Sequence, residues 1–530
     1  MISQANKLRR SVHYWIYFTS LCLIVISLPA SRYTLGISFI ILAANWLTEP
    51  DLLGKLRNFA SNKAAVAFTL IYVLSILGLI WSVDLKYALN NDLRLKLPTL
   101  FMPLIIVTSP VLDNKKIRLL LILFISSVLV VSLIGLCIRV FQAGSSYRDA
   151  SPFMPGLYFG MMLIISAFQL PILIKQITKN RAMFLAGLAL SAWMILFVFY
   201  LRTLSGIVSF VGVSFYLAAL LVRSFKSTLL RLTLAVSFLL LIAVGIWPMI
   251  SIYKQTHSEV ETDFRTLGEF TEYGNRYRHD TLEILRENGN LVYTYIADSE
   301  LSDAWNKRSE LDYYGNDLTG QEVRYTLYRY MASKGLRKDR NGFKLLTDDE
   351  ISAVEKGITN YLNIKRPGFY ARVYEEMMGL YIYRKTGYKE ASWSSLSQRL
   401  DMWRASIQAF KKHPLLGWGT GSILHAVDYG FETNGSSLAG NNTKPHSQYL
   451  YILLTLGILG LLAFISLYSY AVFKTGVYKI LMFKIFLIVY AINFLANNSM
   501  ESHIGQSLFV FFSLFYFFIY PRLNTTQPEI

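Results

Sequence analysis

The sequence predicts an all-α, polytopic integral membrane protein with about twelve transmembrane helices and one large helical domain outside the membrane. Three observations support this fold class. Of the 530 residues, 53% are hydrophobic and the mean hydropathy is +0.38. Apolar stretches long enough to cross a bilayer recur along the chain, and one polar stretch, residues 251–447, interrupts them. A soluble enzyme does not have this composition.

The apolar stretches define the predicted spans. They lie at 13–30, 33–48, 64–82, 97–112, 117–141, 153–175, 182–201, 204–222, 229–250, 448–472, 478–496 and 503–520. The count holds to within one or two, because the stretch 97–112 is short and contains Pro98 and Pro103. A cleaved signal peptide is the alternative for the first stretch, but the many similar spans that follow favour a retained helix.

The spans divide the chain into three predicted regions. Residues 1–250 form an N-terminal membrane domain of about nine spans, 251–447 form the large domain, and 448–530 form a C-terminal membrane domain of about three. The middle region is too long for a structureless loop. Thr347-Asp-Asp-Glu350 reads as a capping box that starts a helix running to Tyr361, and 375–384 continues as a second helix.

The net charge of +18 lies outside the large domain, because residues 251–447 contain 26 basic and 26 acidic residues. The membrane regions therefore carry the whole excess. Most of it agrees with the positive-inside rule, and an anionic lipid substrate is the second explanation. Nothing in this distribution indicates binding to nucleic acid. Cys22 and Cys137 lie within apolar spans, so we expect neither a disulfide nor a cysteine-based metal site.

The basic loops also predict the orientation. With a cytoplasmic N-terminus, the loops rich in Lys and Arg all fall inside, and both termini are cytoplasmic. Arg202, His446 and Glu501 then lie outside, so three separate parts of the chain meet at one face. The outside loop at 82–97 breaks the rule, because it contains Arg94 and Lys96. Uncompensated bases on that side are candidates for contact with phosphate.

A pair of linked motifs surrounds the end of the large domain. The first, R-L-x-x-W followed by H-P-L-x-G-W-G, begins at Arg399 and contains His413-Pro414, which predicts a helix end. Gly417, Gly419 and Gly421 follow at alternate positions and are more typical of close backbone packing than of catalysis. The second motif, P-H-x-x-Y-L, places His446 directly before a span. Together the motifs resemble the signature region of the O-antigen ligase/polymerase family.

This resemblance implies a GT-C-like glycosyltransferase of the bacterial inner membrane with a periplasmic loop domain and active site. An O-antigen ligase, the WaaL-like type, would transfer a glycan from undecaprenyl diphosphate to a lipid A-core sugar in lipopolysaccharide biosynthesis, without a metal or cofactor. An O-antigen polymerase or a protein O-oligosaccharyltransferase would use the same donor with another acceptor. A lipid-linked glycan transporter or flippase is the alternative of a different class, although few charges lie at mid-depth of the spans.

Three residues are the predicted catalytic set. Arginine binds phosphate oxygens with a planar fork and keeps its charge, so Arg202 at the end of a span is a predicted diphosphate contact; a snorkelling interfacial arginine is the alternative. By the resemblance, Arg399 is a second such contact. Histidine titrates near neutral pH, so His446 suits either proton removal from the acceptor hydroxyl or, when protonated, phosphate binding.

Four further residues are predicted substrate contacts. Lys96 and Arg94 are equally well explained as solvated loop charges compensated by Asp92. Arg404 lies five positions beyond Arg399, about 140° around a helix, and a solvated charge explains it as well. Glu501 resembles the acidic position before the family's last span and would orient an arginine or act as a base. The segment 288–360 looks like an insertion present in only some relatives.

Overall fold

The structure is a computed structural model that describes residues 2–141, 147–225, 227–283, 285–366 and 368–521. It is mostly helical, and within these ranges two strands of two residues each form its one sheet, which agrees with the predicted all-α class. The chain divides into two compact units. Unit 1 comprises Met1–Ser224, Met402–Asn434 and Ala439–Ile530, and unit 2 comprises Phe225–Asp401 and Gly435–Leu438.

Unit 1 begins with ten helices. They are α1 (Ile2–Ala30), α2 (Arg32–Thr48), α3 (Leu52–Ser61), α4 (Lys63–Leu77), α5 (Leu85–Tyr87), α6 (Arg94–Thr108), α7 (Asn114–Phe141), α8 (Gly156–Ile177), α9 (Arg181–Tyr200) and α10 (Leu204–Ser224). A π-helical turn, Ala88–Leu93, leads into α6. The axes of α3 and α4 differ by 95° across Asn62, whose side chain caps α4.

Unit 2 contains the next seven helices and both strands. They are α11 (Thr228–Thr256), β1 (Arg286–Glu287), β2 (Asn290–Leu291), α12 (Asp298–Trp305), α13 (Val323–Ser333), α14 (Arg340–Lys344), α15 (Asp348–Glu355), α16 (Leu362–Lys365) and α17 (Phe369–Lys385). Its core is rich in tyrosine, and Tyr328, Tyr330 and Trp305 are fully buried there. Helix α18 (Ser395–Lys412) starts in unit 2 and ends in unit 1.

The remaining helices belong to unit 1. They are α19 (Ile423–Asn434), α20 (Gln448–Thr475), α21 (Leu481–Ala496) and α22 (His503–Leu514), which continues as a π-helical turn, Phe515–Ile519. Helix α22 is buried on nearly every side and brings Phe509, Phe512 and Tyr516 into the core. A helix that is apolar all round is buried in protein or membrane, so α22 lies at the centre of this unit.

A helix occupies each of the predicted spans. By length and composition, six described helices are able to cross a membrane, or seven with the bent pair α3–α4, while α21 and α22 with its π turn are shorter apolar helices. These helices indicate a multi-pass membrane protein. Side chains at 234–235, 238–242 and 244–246 of α11, within the predicted span 229–250, lie outside the described residues. The total of about twelve spans stays a prediction.

The capping box at Thr347 is confirmed, but the predicted end of its helix is wrong. Helix α15 ends at Glu355 because Gly357 has φ +78°, and its N–H bonds to the Val354 carbonyl at 2.8 Å. The second predicted helix is confirmed within α17. The hairpin of β1 and β2 was not predicted, although its Asn288-Gly289 dipeptide is typical of a two-residue turn.

Candidate functional site

A buried ion pair joins three elements of unit 1. The Lys96 Nζ, in the first turn of α6, lies 2.9 Å from Oε1 of Glu501, which sits in the short turn between α21 and α22. Gln448, the first residue of α20, donates to the same oxygen at 3.2 Å and accepts from the Met500 N–H at 2.9 Å. Only 7% of Glu501 is exposed, so this pair is held away from water.

A second carboxylate completes this cluster. Asp92, fully buried in the π turn before α6, accepts a hydrogen bond from the Tyr451 hydroxyl of α20. The Lys96 ammonium lies 5.0 Å from the centre of the Tyr451 ring. Within the described part of the chain, neither Oδ2 of Asp92 nor Oε2 of Glu501 has a hydrogen-bond donor. We call Asp92, Lys96, Gln448, Tyr451 and Glu501 the carboxylate cluster.

The two carboxyls of this cluster differ in protonation. Burial raises the pKa of Asp92 to about 7; Lys96 opposes this shift and Glu501 adds to it. Burial also acts to raise the pKa of Glu501, but Lys96 and then Lys444 outweigh it, so the net direction is downward. Asp92 therefore keeps its proton in weak acid and loses it only near neutral pH, while Glu501 stays charged beside Lys96. A proton on Asp92 allows a hydrogen bond between the two carboxyl groups.

Arg202 and His446 both have left-handed backbone conformations. Arg202 has φ +53° between α9 and α10, and His446 has φ +47° two residues before α20. A non-glycine residue in this region costs on the order of 1 kcal/mol or more and persists only where the surroundings enforce it. His446 is exposed and Arg202 is half-buried. Their side chains are thus presented from tightly constrained connections at the ends of helices.

Arg399 lies in the unit 2 part of α18 and is half-buried. The neighbouring carboxylate of Glu376 already accepts from Arg372 and, at 2.7 Å, from the Leu396 N–H. Among the described residues, no side chain lies within hydrogen-bond or ion-pair distance of the Arg399 guanidinium. Burial lowers the pKa of Arg399; Glu376 opposes the shift and Arg372 adds to it. Its donors are therefore available to an anionic ligand.

The other two predicted arginines are exposed. Arg404 lies on the unit 1 part of α18, and Arg94 is the first residue of α6. The structure thus brings Lys96 and Glu501 into direct contact. Arg202, His446, Arg94 and Arg404 also belong to unit 1, and Arg399 belongs to unit 2.

The glycine-rich motif binds to a break in α20. Gly457 has φ +67° and ψ −171°, so the helix is interrupted there. The Trp418 and Gly419 N–H groups bond to the Leu454 and Thr455 carbonyls at 2.7 and 2.9 Å, and the Ile458 N–H bonds to the Pro414 carbonyl at 2.9 Å. We call 414–422 the glycine segment. It replaces the backbone partners that the interrupted helix loses.

The same segment packs against the end of α4. Thr420 donates to the Gly78 carbonyl through its N–H at 3.0 Å and to the Ser75 carbonyl through its hydroxyl at 2.7 Å. A Cβ on Gly421 would lie 1.9 Å from the Asp84 carbonyl oxygen, and one on Gly419 would lie 2.7 Å from the Ser82 Cα. Side chains are excluded at these positions, so these glycines have the structural role that the sequence indicates.

Comparison with known proteins finds that this region is similar to a known family. Residues 354–465 match the sequence model of the family described as O-antigen ligase, and this match supports assigning the chain to the O-antigen ligase family. The match includes α17, α18, the glycine segment, His446 and the first half of α20. No curated protein matches the chain significantly. The family fits an O-antigen ligase or polymerase, and an enzyme of glycosyltransferase type is consistent with it.

Sequence reasoning missed Gln448 and Tyr451 as members of the carboxylate cluster. Both lie in the apolar motif after His446, three residues apart, and therefore on one face of the first helical turn. Two polar side chains at the start of an otherwise apolar span were the feature of the sequence that could have identified them. The sequence indicates Asp92 only as a charge that compensates Lys96, whereas Lys96 forms its ion pair with Glu501.

Proposed function

We propose that the protein is an O-antigen ligase-type glycosyltransferase of the bacterial inner membrane. It transfers a glycan from undecaprenyl diphosphate to a sugar of a lipid A-core acceptor, at the periplasmic face and without a metal. The observation that carries this proposal is the family match over 354–465, which contains Arg399 and His446 in their motifs. The proposed orientation also puts Arg202, His446 and Glu501 on the same side of the membrane.

In this reaction the bond between the anomeric carbon and the diphosphate oxygen breaks, and a bond from that carbon to the acceptor oxygen forms. Arg202 and Arg399 would stabilise the charge that develops on the leaving diphosphate. His446 would accept the proton of the acceptor hydroxyl or, when protonated, bind the diphosphate. The carboxylate cluster fixes the first turn of α20, two residues after His446, and thereby acts as a positioning device.

The nearest alternatives differ in the acceptor. A polymerase would use a second lipid-linked repeat, and a protein O-oligosaccharyltransferase would use a serine or threonine. A transporter or flippase would move the donor without breaking its glycosidic bond. The acceptor that carries the product therefore distinguishes the three enzymes from one another. Consumption of the donor distinguishes all three from a transporter.

The test is a transfer assay with purified full-length protein in detergent and a defined undecaprenyl-diphosphate oligosaccharide. Lipid A-core, a second lipid-linked repeat and a peptide compete as acceptors, and His446→Ala and a chelator-treated sample run in parallel. We expect product on lipid A-core, no effect of the chelator, and loss of product in the variant by about 10²-fold or more. Product on another acceptor would move the assignment within the family, and an unconsumed donor would contradict it.

A further inference from the structure

Unit 2 contains an open polar cleft that none of the residues proposed for transfer lines. Its volume is about 510 Å³, within the range of about 300–1,000 Å³ typical of small-molecule sites. The β1–β2 turn, the end of α13 and the start of α16 form its walls, and the end of α11 adds a fourth. Most of the lining therefore comes from the segment 288–360, the predicted insertion.

The cleft rests on a buried polar network. Glu287 is fully buried and binds Arg329 at 2.7 Å, Asn360 at 2.9 Å and the Tyr374 hydroxyl at 2.6 Å. Asn360 in turn donates to the side chain of Asn288 at 3.1 Å. A fully satisfied buried network of this kind fixes its members in one arrangement. The turn that carries the lining residues is thus held rigidly in place.

The lining is rich in amide groups. Asn288 donates to the Ser333 carbonyl at 2.8 Å and accepts from Gln255 at 2.6 Å, so its orientation is set. Asn290 is half-buried at the wall, and among the described residues its side-chain amide has no hydrogen-bond partner. An amide offers one acceptor and two donors close together, which matches the adjacent hydroxyls of a sugar ring. Ser258 adds a hydroxyl to this wall.

One aromatic ring and one neutralised cation complete the lining. Tyr361 is half-buried at the wall and supplies a flat apolar surface for the C–H face of a sugar. Lys334 is the cation of the lining, and Glu350 holds it with contacts of 2.7 and 2.9 Å. The cleft therefore carries no net charge to attract a phosphate, and its polar walls do not suit an apolar peptide or lipid tail.

We propose that this cleft binds a neutral oligosaccharide segment, and that the insertion and the residues beside it provide a carbohydrate-binding site separate from the transfer chemistry. This proposal depends on the proposed function in one respect, the source of the glycan. That source would be either the glycan of the lipid-linked donor or the core sugars of the acceptor. The proposal assigns the binding to Asn290 and Tyr361, with Asn288 and Ser258 as further hydrogen-bonding groups. Binding at this site would hold the long glycan and would not take part in bond cleavage.

The experiment measures binding to the full-length protein in detergent by titration calorimetry. The probe is a size-fractionated, dephosphorylated oligosaccharide mixture released by mild acid from the lipopolysaccharide of the source organism, with inorganic phosphate as a second probe. We expect Asn290→Asp to weaken oligosaccharide binding at least about tenfold, because the near-isosteric carboxylate loses both donors without disturbing the packing. Tyr361→Ala should weaken it similarly.

Two controls separate this proposal from loss of folding and from failure of the proposed function. Tyr314→Ala changes an exposed tyrosine of the same unit outside the cleft and should bind normally. His446→Ala should also bind normally even though it transfers nothing. Equal affinity of the natural protein and Asn290→Asp, no binding at millimolar probe, or preferential binding of phosphate would each overturn the proposal. Normal binding by a natural protein that shows no transfer activity would overturn the proposed function alone.

Discussion

At the scale of single residues, Arg202 and Arg399 differ from most arginines of the chain in what surrounds them. The first is presented from a left-handed backbone, and the second is half-buried beside a carboxylate that other groups already occupy. Neither arrangement is what an ordinary solvated charge requires. Both suit a guanidinium that binds an anionic substrate.

The proposed contact of both arginines with the diphosphate predicts how substitutions at Arg202 and Arg399 affect transfer. Arg202→Ala and Arg399→Ala should each lower kcat/KM by about 10²-fold or more, because a charge-stabilising contact in the transition state is lost. Arg→Lys should restore little, since lysine lacks the planar fork. Arg276→Ala, an exposed arginine of unit 2, is the control and should leave the rate unchanged. Full activity of either alanine variant would remove that arginine from the mechanism.

The carboxylate cluster predicts a pH-dependent stability. The pKa of Asp92 lies above that of an ordinary carboxyl, so the folded state retains a proton that the unfolded chain releases. The stability that this group contributes is therefore largest at low pH and falls as the pH rises from about 4 to about 7. Asp92→Asn removes this titration, still accepts from Tyr451, and adds a donor for Oε2 of Glu501.

The measurement is thermal unfolding in detergent at several pH values between 4 and 8. At pH 8 the Tm of Asp92→Asn should exceed that of the natural protein by about a few degrees, and the difference should shrink steadily as the pH falls towards about 4. Glu501→Gln is the comparison, because it leaves Lys96 buried without its carboxylate and should lower the Tm throughout. A difference between Asp92→Asn and the natural protein that does not change with pH would contradict this account.

At the scale of elements, the break in α20 depends on one glycine. A Cβ on Gly457 would lie 2.1 Å from the Leu415 carbonyl oxygen, and its φ of +67° is strained for any other residue. Gly457→Ala should therefore lower the Tm sharply or prevent accumulation of folded protein. Gly476→Ala is the control for a positive φ alone, because Gly476 has open space around it and, at φ +72° and ψ 9°, a left-handed conformation that costs another residue about 1 kcal/mol, whereas the ψ of −171° at Gly457 is suited only to glycine. Equal effects of the two substitutions would show that the contact with Leu415 is unimportant.

The sequence predicted elements well where the signal is local. The capping box at Thr347, the helix end before Pro414 and the apolar stretches all depend on neighbouring residues. The break at Gly457 was missed, because an isolated glycine in an apolar run also fits a continuous helix. What makes it a break is the approach of the glycine segment from about forty residues earlier, which local patterns do not reveal.

At the scale of the whole molecule, the orientation follows from charge and is directly testable. In a background of Cys22→Ser and Cys137→Ser, a cysteine at Asn441, in the loop before His446, should react with a membrane-impermeant maleimide added to intact spheroplasts. A cysteine at Lys179, between α8 and α9, should react only after the membrane is opened. Both positions are exposed in the structure. The reverse pattern would invert the proposed topology and remove the periplasmic active site.

The candidate site is only partly predictable at this scale. Charge and alternation of spans put Lys96 and Glu501 on the same side, and these residues touch. Charge and alternation did not predict that Asp92, Gln448 and Tyr451 join Lys96 and Glu501. This cluster forms only because α6, α20 and the turn before α22 pack at one level. Charge rules count residues on each side of the membrane, but they do not specify which helix ends are neighbours.

The pairing of the glycine segment with the interrupted α20 restricts how the two stretches can diverge in evolution. Two stretches far apart in the chain share one set of backbone hydrogen bonds, so neither is a separable module. A hybrid made from two relatives should fold when 414–422 and 448–459 come from the same parent and should fail when they come from different ones. Evolution should likewise have kept glycine at both Gly417 and Gly457, since a Cβ on Gly417 would lie 2.6 Å from the Gly457 nitrogen and one on Gly457 would lie 2.1 Å from the Leu415 carbonyl oxygen.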